Sequence, residues 1–121
     1  MAHNTGFLKL VNDAKQRIKE TDIEGYKKML ASGEKPLLVD VREDSEWSAG
    51  HAKGALHLGK GVIERDVETQ VPNKNTTMVL YCGGGFRSAL AADALQQMGY
   101  KNVISLDGGW RAYKDSSLPV E

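Results

Sequence analysis

The chain has a single cysteine, Cys82, so it can form no internal disulfide, and no CxxC redox pair is present. Both absences fit a reducing compartment. No apolar run approaches the roughly 20 residues that a bilayer span requires. The opening residues lack the charged and apolar blocks of a signal peptide, so the expected location is cytoplasmic. Sixteen Lys and Arg balance sixteen Asp and Glu, which gives no global reason for a nucleic-acid or membrane partner. No Cys/His/carboxylate cluster has metal-ligand spacing, and neither a metal nor a cofactor is expected. The 121 residues make one domain. A chain of this size buries about two-thirds of its unfolded surface, enough for a core without staples. The sequence sets no oligomeric state.

The richest stretch is Tyr81-Cys82-Gly83-Gly84-Gly85-Phe86-Arg87-Ser88. Before it, residues 77–81 read as a buried strand. After it, residues 87–98 read as an Ala/Leu-rich helix that Gly99 stops. Glycines between a strand end and a helix start let backbone amides curl around one point, and the helix start adds partial positive charge. A sulfur in that cradle is favoured as a thiolate nucleophile. The bland alternative is a small buried hydrophobe at a strand end.

The rest of the chain alternates strands and helices. Residues 1–17 form an extension: residues 1–5 are expected to be mobile, and Phe7 to Arg17 carries a helical apolar stripe. It reads as a capping helix, with partner binding as the runner-up; His3, alone near the chain end, makes no metal site. A short strand near Ile18 precedes a helix to about Ala31, opened by a Thr21-x-x-Glu24 capping box. The apolar run Leu37-Leu38-Val39-Asp40-Val41 has the character of a parallel-sheet strand. Asp40 and Cys82 both fall at strand carboxyl ends, where open α/β sheets bind ligands. Asp40 is therefore a supporting candidate, or else it pairs with Arg42 or caps the next turn. Arg42 either faces the pocket or joins a surface network with Glu43 or Glu46. Trp47 lies on a short helix over residues 44–49, and residues 55–58, with His57, form a strand. Residues 59–71 are helix-compatible with a solvated charged face, and residues 102–106 are a last strand. It leads to Asp107-Gly108-Gly109-Trp110, where Trp110 either walls the active-site mouth or packs the final helix.

Three stretches together resemble the rhodanese-like sulfurtransferases. They are Cys82-x4-Arg87-Ser88; Asp40-Val41-Arg42-Glu43, then Glu46-Trp47, then Gly50-His51-Ala52-Lys53-Gly54-Ala55; and Gly108-Gly109-Trp110 with the closing Leu118-Pro119-Val120-Glu121. The likeness runs through residues 18–121. It implies a single α/β rhodanese-like domain, with a mainly parallel central sheet flanked by helices. It implies a structural role for His51 in fixing its loop.

The resemblance also implies the chemistry: Cys82 takes a sulfur atom from a small anionic donor or a persulfide and passes it to cyanide, a thiol or an acceptor protein. Gly83, Gly84, Gly85, Phe86, Arg87 and Ser88 would form the anion-binding loop. The loop departs from many thiosulfate-using relatives, which carry a basic side chain near its middle. Here Arg87 is its one cation, which counts against efficient thiosulfate turnover. That leaves thiosulfate or a protein or low-molecular-weight persulfide as the donor, with Phe86 as an apolar lip for the latter. A protein-to-protein persulfide relay is the alternative. A phosphatase or arsenate reductase on the same scaffold ranks lower, because those enzymes space Cys and Arg by five residues.

Overall fold

The computed structural model describes residues 3–121. In chain order the elements are α1 (Thr5–Lys15), β1 (Lys19–Thr21), α2 (Ile23–Ala31), β2 (Leu37–Asp40), α3 (Asp44–Ala49) and β3 (Leu56–His57). There follow α4 (Ile63–Gln70), β4 (Met78–Tyr81), α5 (Phe86–Gln97), β5 (Val103–Leu106) and α6 (Gly109–Lys114). The five strands form one sheet in the order β1-β5-β4-β2-β3, and every pairing is parallel. The central strands β2 and β4 are covered on both faces, which is why they read as continuous apolar runs.

Strand side chains alternate between faces. Met78, Leu80 and Cys82 point into one core with Ile63 and Val67 of α4 and Ala91, Ala92 and Leu95 of α5. Val79 and Tyr81 point into the other, with Tyr26 of α2 and Tyr113 of α6. The small residues of α5 bring it close to β4, and α1 packs on α5 in turn. Val11 and Ala14 are the buried residues of α1. Arg17 just beyond it donates from Nε and Nη2 to both Asp93 carboxylate oxygens, at 3.0 and 2.8 Å.

Several boundaries differ from the sequence reading. The cap of α2 is Asp22, whose side chain accepts from the Gly25 amide at 2.8 Å. Thr21 does not open the helix because β1 claims it as the register partner of Leu106. A capping box does exist at α3, between Glu43 and Glu46. The helix expected over residues 59–71 shortens to α4, since the Leu58 and Lys60 amides still bond the Asp40 and Val41 carbonyls at 3.0 and 2.9 Å. Residues 1–5 were expected to be mobile; Thr5 instead begins α1, and the His3 ring sits against Phe7 and Phe86. Met1 and Ala2 lie outside the described residues. No helix among the described residues is long and apolar enough to cross a membrane.

Candidate active site

Cys82 directly follows β4, its side chain on the α5 face and only 1% exposed. Its sulfur accepts from the Gly85 amide at 3.1 Å and the Ser88 amide at 3.4 Å, and lies 3.5 Å from Ser88 Oγ. Ser88 Oγ in turn shares a 2.8 Å hydrogen bond with Ser105 Oγ of β5. Gly85 is the N-cap of α5, at φ +110°, a conformation that L side chains rarely adopt. Two unpaired amides of the helix start thus converge on one sulfur, an arrangement complementary to negative charge.

The loop is held from behind by α6. Gly108 N donates to the Gly84 carbonyl at 3.2 Å, Trp110 N to that of Cys82 at 2.7 Å, and Arg111 N to that of Gly83 at 3.4 Å. A trans peptide points its C=O and N–H in opposite directions. Anchoring the Gly84 carbonyl to Gly108 therefore turns the Gly85 N–H of the same peptide towards the sulfur. Gly109 makes this approach possible: a Cβ there, at φ +50°, would collide with the Cys82 carbonyl and lie 2.9 Å from the Gly83 carbonyl carbon. The sequence reading placed Gly108-Gly109-Trp110 at a turn but did not find its bracing of the loop. Two consecutive glycines after a strand were the available signal.

Arg87 does not extend freely into the pocket. Its Nη1 and Nη2 donate to the Glu46 carboxylate at 2.7 and 3.2 Å, and that guanidinium holds the Glu46 carboxyl down at about 2. The guanidinium passes beneath Gly83, where an added Cβ would lie 3.2 Å from Nη2. A cavity of about 650 Å³ opens over Cys82, Gly83 and Gly84, with Arg87 in its wall. Phe86 lines it as well, and so does Arg111 of α6, which the sequence reading overlooked. Nothing in the local sequence around Arg111 marks it, because only the docking of α6 brings it there.

The supporting candidates sort differently. Asp40 is the register partner of Tyr81 and points with it to the sheet face opposite Cys82. Its carboxylate is fully buried and accepts from the Arg42 backbone amide at 2.9 Å and from Arg42 Nη2 at 2.7 Å. Arg42 joins neither the pocket nor the expected Glu43 or Glu46 network. It is 3% exposed, donates to the Gly50 carbonyl at 2.8 Å, and stacks over Trp110 with its guanidinium carbon 4.7 Å from the ring centroid. Trp110 itself packs among Tyr81 and Tyr113, away from the cavity. His51 stacks on Trp47 at 3.5 Å between centroids, and its Nδ1 lies 2.9 Å from the Trp47 carbonyl. Its backbone exchanges hydrogen bonds with Glu121 at 3.1 and 2.8 Å, so the closing residues clamp this loop. Among the described residues no cluster could hold a metal ion.

Residues 22–116 match the family model described as the rhodanese-like domain. A sulfurtransferase of Allochromatium vinosum is 36% identical over 85% of this chain and 94% of its own length. The thiosulfate sulfurtransferase PspE of Escherichia coli is 32% identical over 67% of this chain and 74% of its own. A solved structure from Rhodopseudomonas palustris, of a protein of unknown function described as a possible tyrosine phosphatase, superposes with a TM-score of 0.84 at 29% identity. That superposition covers 100% of this chain and 98% of the other. Other relatives are longer, and the chain spans 28% of one and 50% of another.

Proposed function

The chain belongs to the rhodanese-like domain family of sulfurtransferases, and from that premise we propose that it transfers sulfane sulfur through a persulfide on Cys82. One observation carries the reading: the chain's single cysteine receives two backbone amides at the start of α5. In the first half-reaction the Cys82 thiolate attacks the outer sulfur of a donor such as thiosulfate. The donor S–S bond breaks, sulfite leaves with its electron pair, and a Cys82 persulfide forms. In the second, cyanide or a thiolate takes the outer sulfur and returns the Cys82 thiolate. The preset Gly85 and Ser88 dipoles stabilise both anionic forms without rearranging, and the covalent intermediate gives ping-pong kinetics.

A persulfide relay to an acceptor protein uses the same intermediate. The phosphatase reading has support from the Rhodopseudomonas neighbour. Against it, the four-residue spacing from Cys82 to Arg87 encloses a smaller guest than a tetrahedral oxyanion. Glu46 is committed to Arg87, which removes that carboxylate as a general acid. Intact-protein mass spectrometry of wild type and Cys82→Ser, incubated with thiosulfate and then cyanide, tests the proposal. The expected result is one added sulfur on wild type only, removed by cyanide with release of thiocyanate. No sulfur gain from either thiosulfate or an organic persulfide, together with hydrolysis of an aryl phosphate, would overturn it.

A further inference from the structure

The cavity over Cys82 is built partly from the chain's own N-terminal segment, outside the residues 22–116 that match the family. His3 and Phe7 line it beside Phe86. The His3 ring centroid lies 4.8 Å from that of Phe86 and 5.3 Å from that of Phe7, and the two phenylalanines are 6.2 Å apart. Lys15 of α1 places its ammonium 5.2 Å from the Phe86 centroid, fixing the helix against this wall. The cation in the wall nearest the loop, Arg87, is neutralised by Glu46. Arg111, also in the wall and exposed, makes no ion pair among the described residues.

An aromatic wall offers nothing to a bare inorganic dianion, whose strong hydration opposes apolar contact. A volume of about 650 Å³ instead falls within the ~300–1,000 Å³ of pockets that enclose organic ligands. We propose that α1 is part of the recognition site. His3, Phe7 and Phe86 take up the organic portion of the donor, and Arg111 takes up its carboxylate. The preferred donor is then a carboxylate-bearing organic persulfide, R–S–SH, rather than thiosulfate. The Cys82 thiolate attacks the outer sulfur, the R–S–S bond breaks, and R–S⁻ leaves with the electron pair as the Cys82–S–SH bond forms. No oxidant or reductant is consumed. This inference rests on persulfide formation at Cys82.

The test loads sulfur from glutathione persulfide or thiosulfate onto the full chain, quenches with acid, and reads the rate from the intact mass. Wild type is expected to load faster from the persulfide. Phe7→Ala and His3→Ala are each expected to lower the persulfide-to-thiosulfate rate ratio about fivefold to tenfold. His3 is exposed, so its replacement leaves the fold intact even if Phe7→Ala does not. Arg111→Ala should slow glutathione persulfide and not its diethyl ester. Faster loading of wild type from thiosulfate, or a ratio within about twofold of wild type in both aromatic variants, overturns the inference. If neither donor loads wild type, sulfur transfer itself fails; if both load and the ratio never moves, only the role of α1 fails.

Discussion

Gly109→Ala should both destabilise the protein and impair the site, because one methyl group stands between α6 and the Cys82 loop. The added Cβ would meet the Cys82 carbonyl oxygen, with the Gly83 carbonyl carbon at 2.9 Å and the Cys82 carbonyl carbon at 3.0 Å. All three are backbone atoms, so no side chain can swing aside. The residue also sits at φ +50°, which costs a non-glycine residue about 1 kcal/mol. Pushing α6 away weakens the Trp110 and Arg111 amide bonds to the loop, each contributing about 1 kcal/mol. The sum is about 3 kcal/mol, a large part of the ~5–15 kcal/mol stability of an ordinary domain. The corresponding drop in Tm is roughly 10–15 °C.

The displacement also releases the Gly84 carbonyl from Gly108 and lets the Gly85 amide drift from the sulfur. Losing one hydrogen bond to a charged group, at about 1.5–3 kcal/mol, lowers turnover of the folded fraction roughly tenfold to a hundredfold. Urea unfolding and thiosulfate:cyanide turnover, measured on the same preparation, give both numbers. Gly6→Ala is the internal control, since a Cβ there meets nothing within 4 Å. In α1 it should be neutral or stabilise by about 0.5 kcal/mol. A Gly109→Ala protein within about 0.5 kcal/mol of wild type, with unaltered turnover, would refute the claim that α6 sets the loop.

Asp40→Asn leaves the buried Arg42 guanidinium without its counter-charge and should cost about 3–5 kcal/mol in urea unfolding. Because Asp40 faces away from Cys82, the folded variant should still gain a sulfur; a stable variant that cannot would place Asp40 in the chemistry. Glu46 gives a pH signature. Its carboxyl is held at about 2, well below its ordinary 4.5, so its pairing with Arg87 supports the fold fully above pH 4.5 and fades as the pH falls towards 2. The pair is over a third exposed on the Glu46 side, so solvent screening keeps the effect modest. The stability advantage of wild type over Glu46→Gln should shrink across that window, and a gap that stays constant on acidification would remove the assignment.

Much of this protein is legible as one-dimensional pattern. The apolar runs at Leu37–Asp40 and Met78–Tyr81 announce central parallel strands, since a strand buried on both faces cannot alternate with polar residues. The Cys82 loop announces an amide cradle, because three glycines between strand and helix have no packing use. Local signals failed where a distant segment competed for the same backbone. Thr21 resembled a cap until β5 claimed it as a strand residue, and Lys60 resembled helix until the Val41 carbonyl just past β2 drew its amide.

What the sequence determined by itself was the strand–loop–helix framework and the place of its one cysteine, both written in contiguous residues. Tertiary structure alone decided which side chains reach that cysteine. Asp40 and Cys82 stand at the same sheet edge, but the strand register turns their side chains to opposite faces. Arg87 belongs to the loop but is bound by Glu46 from α3, while Arg111 and Phe7 come from helices at opposite ends of the chain. Those choices follow from how helices dock on the two faces of the sheet. Docking is a long-range packing result that no window of neighbouring residues encodes.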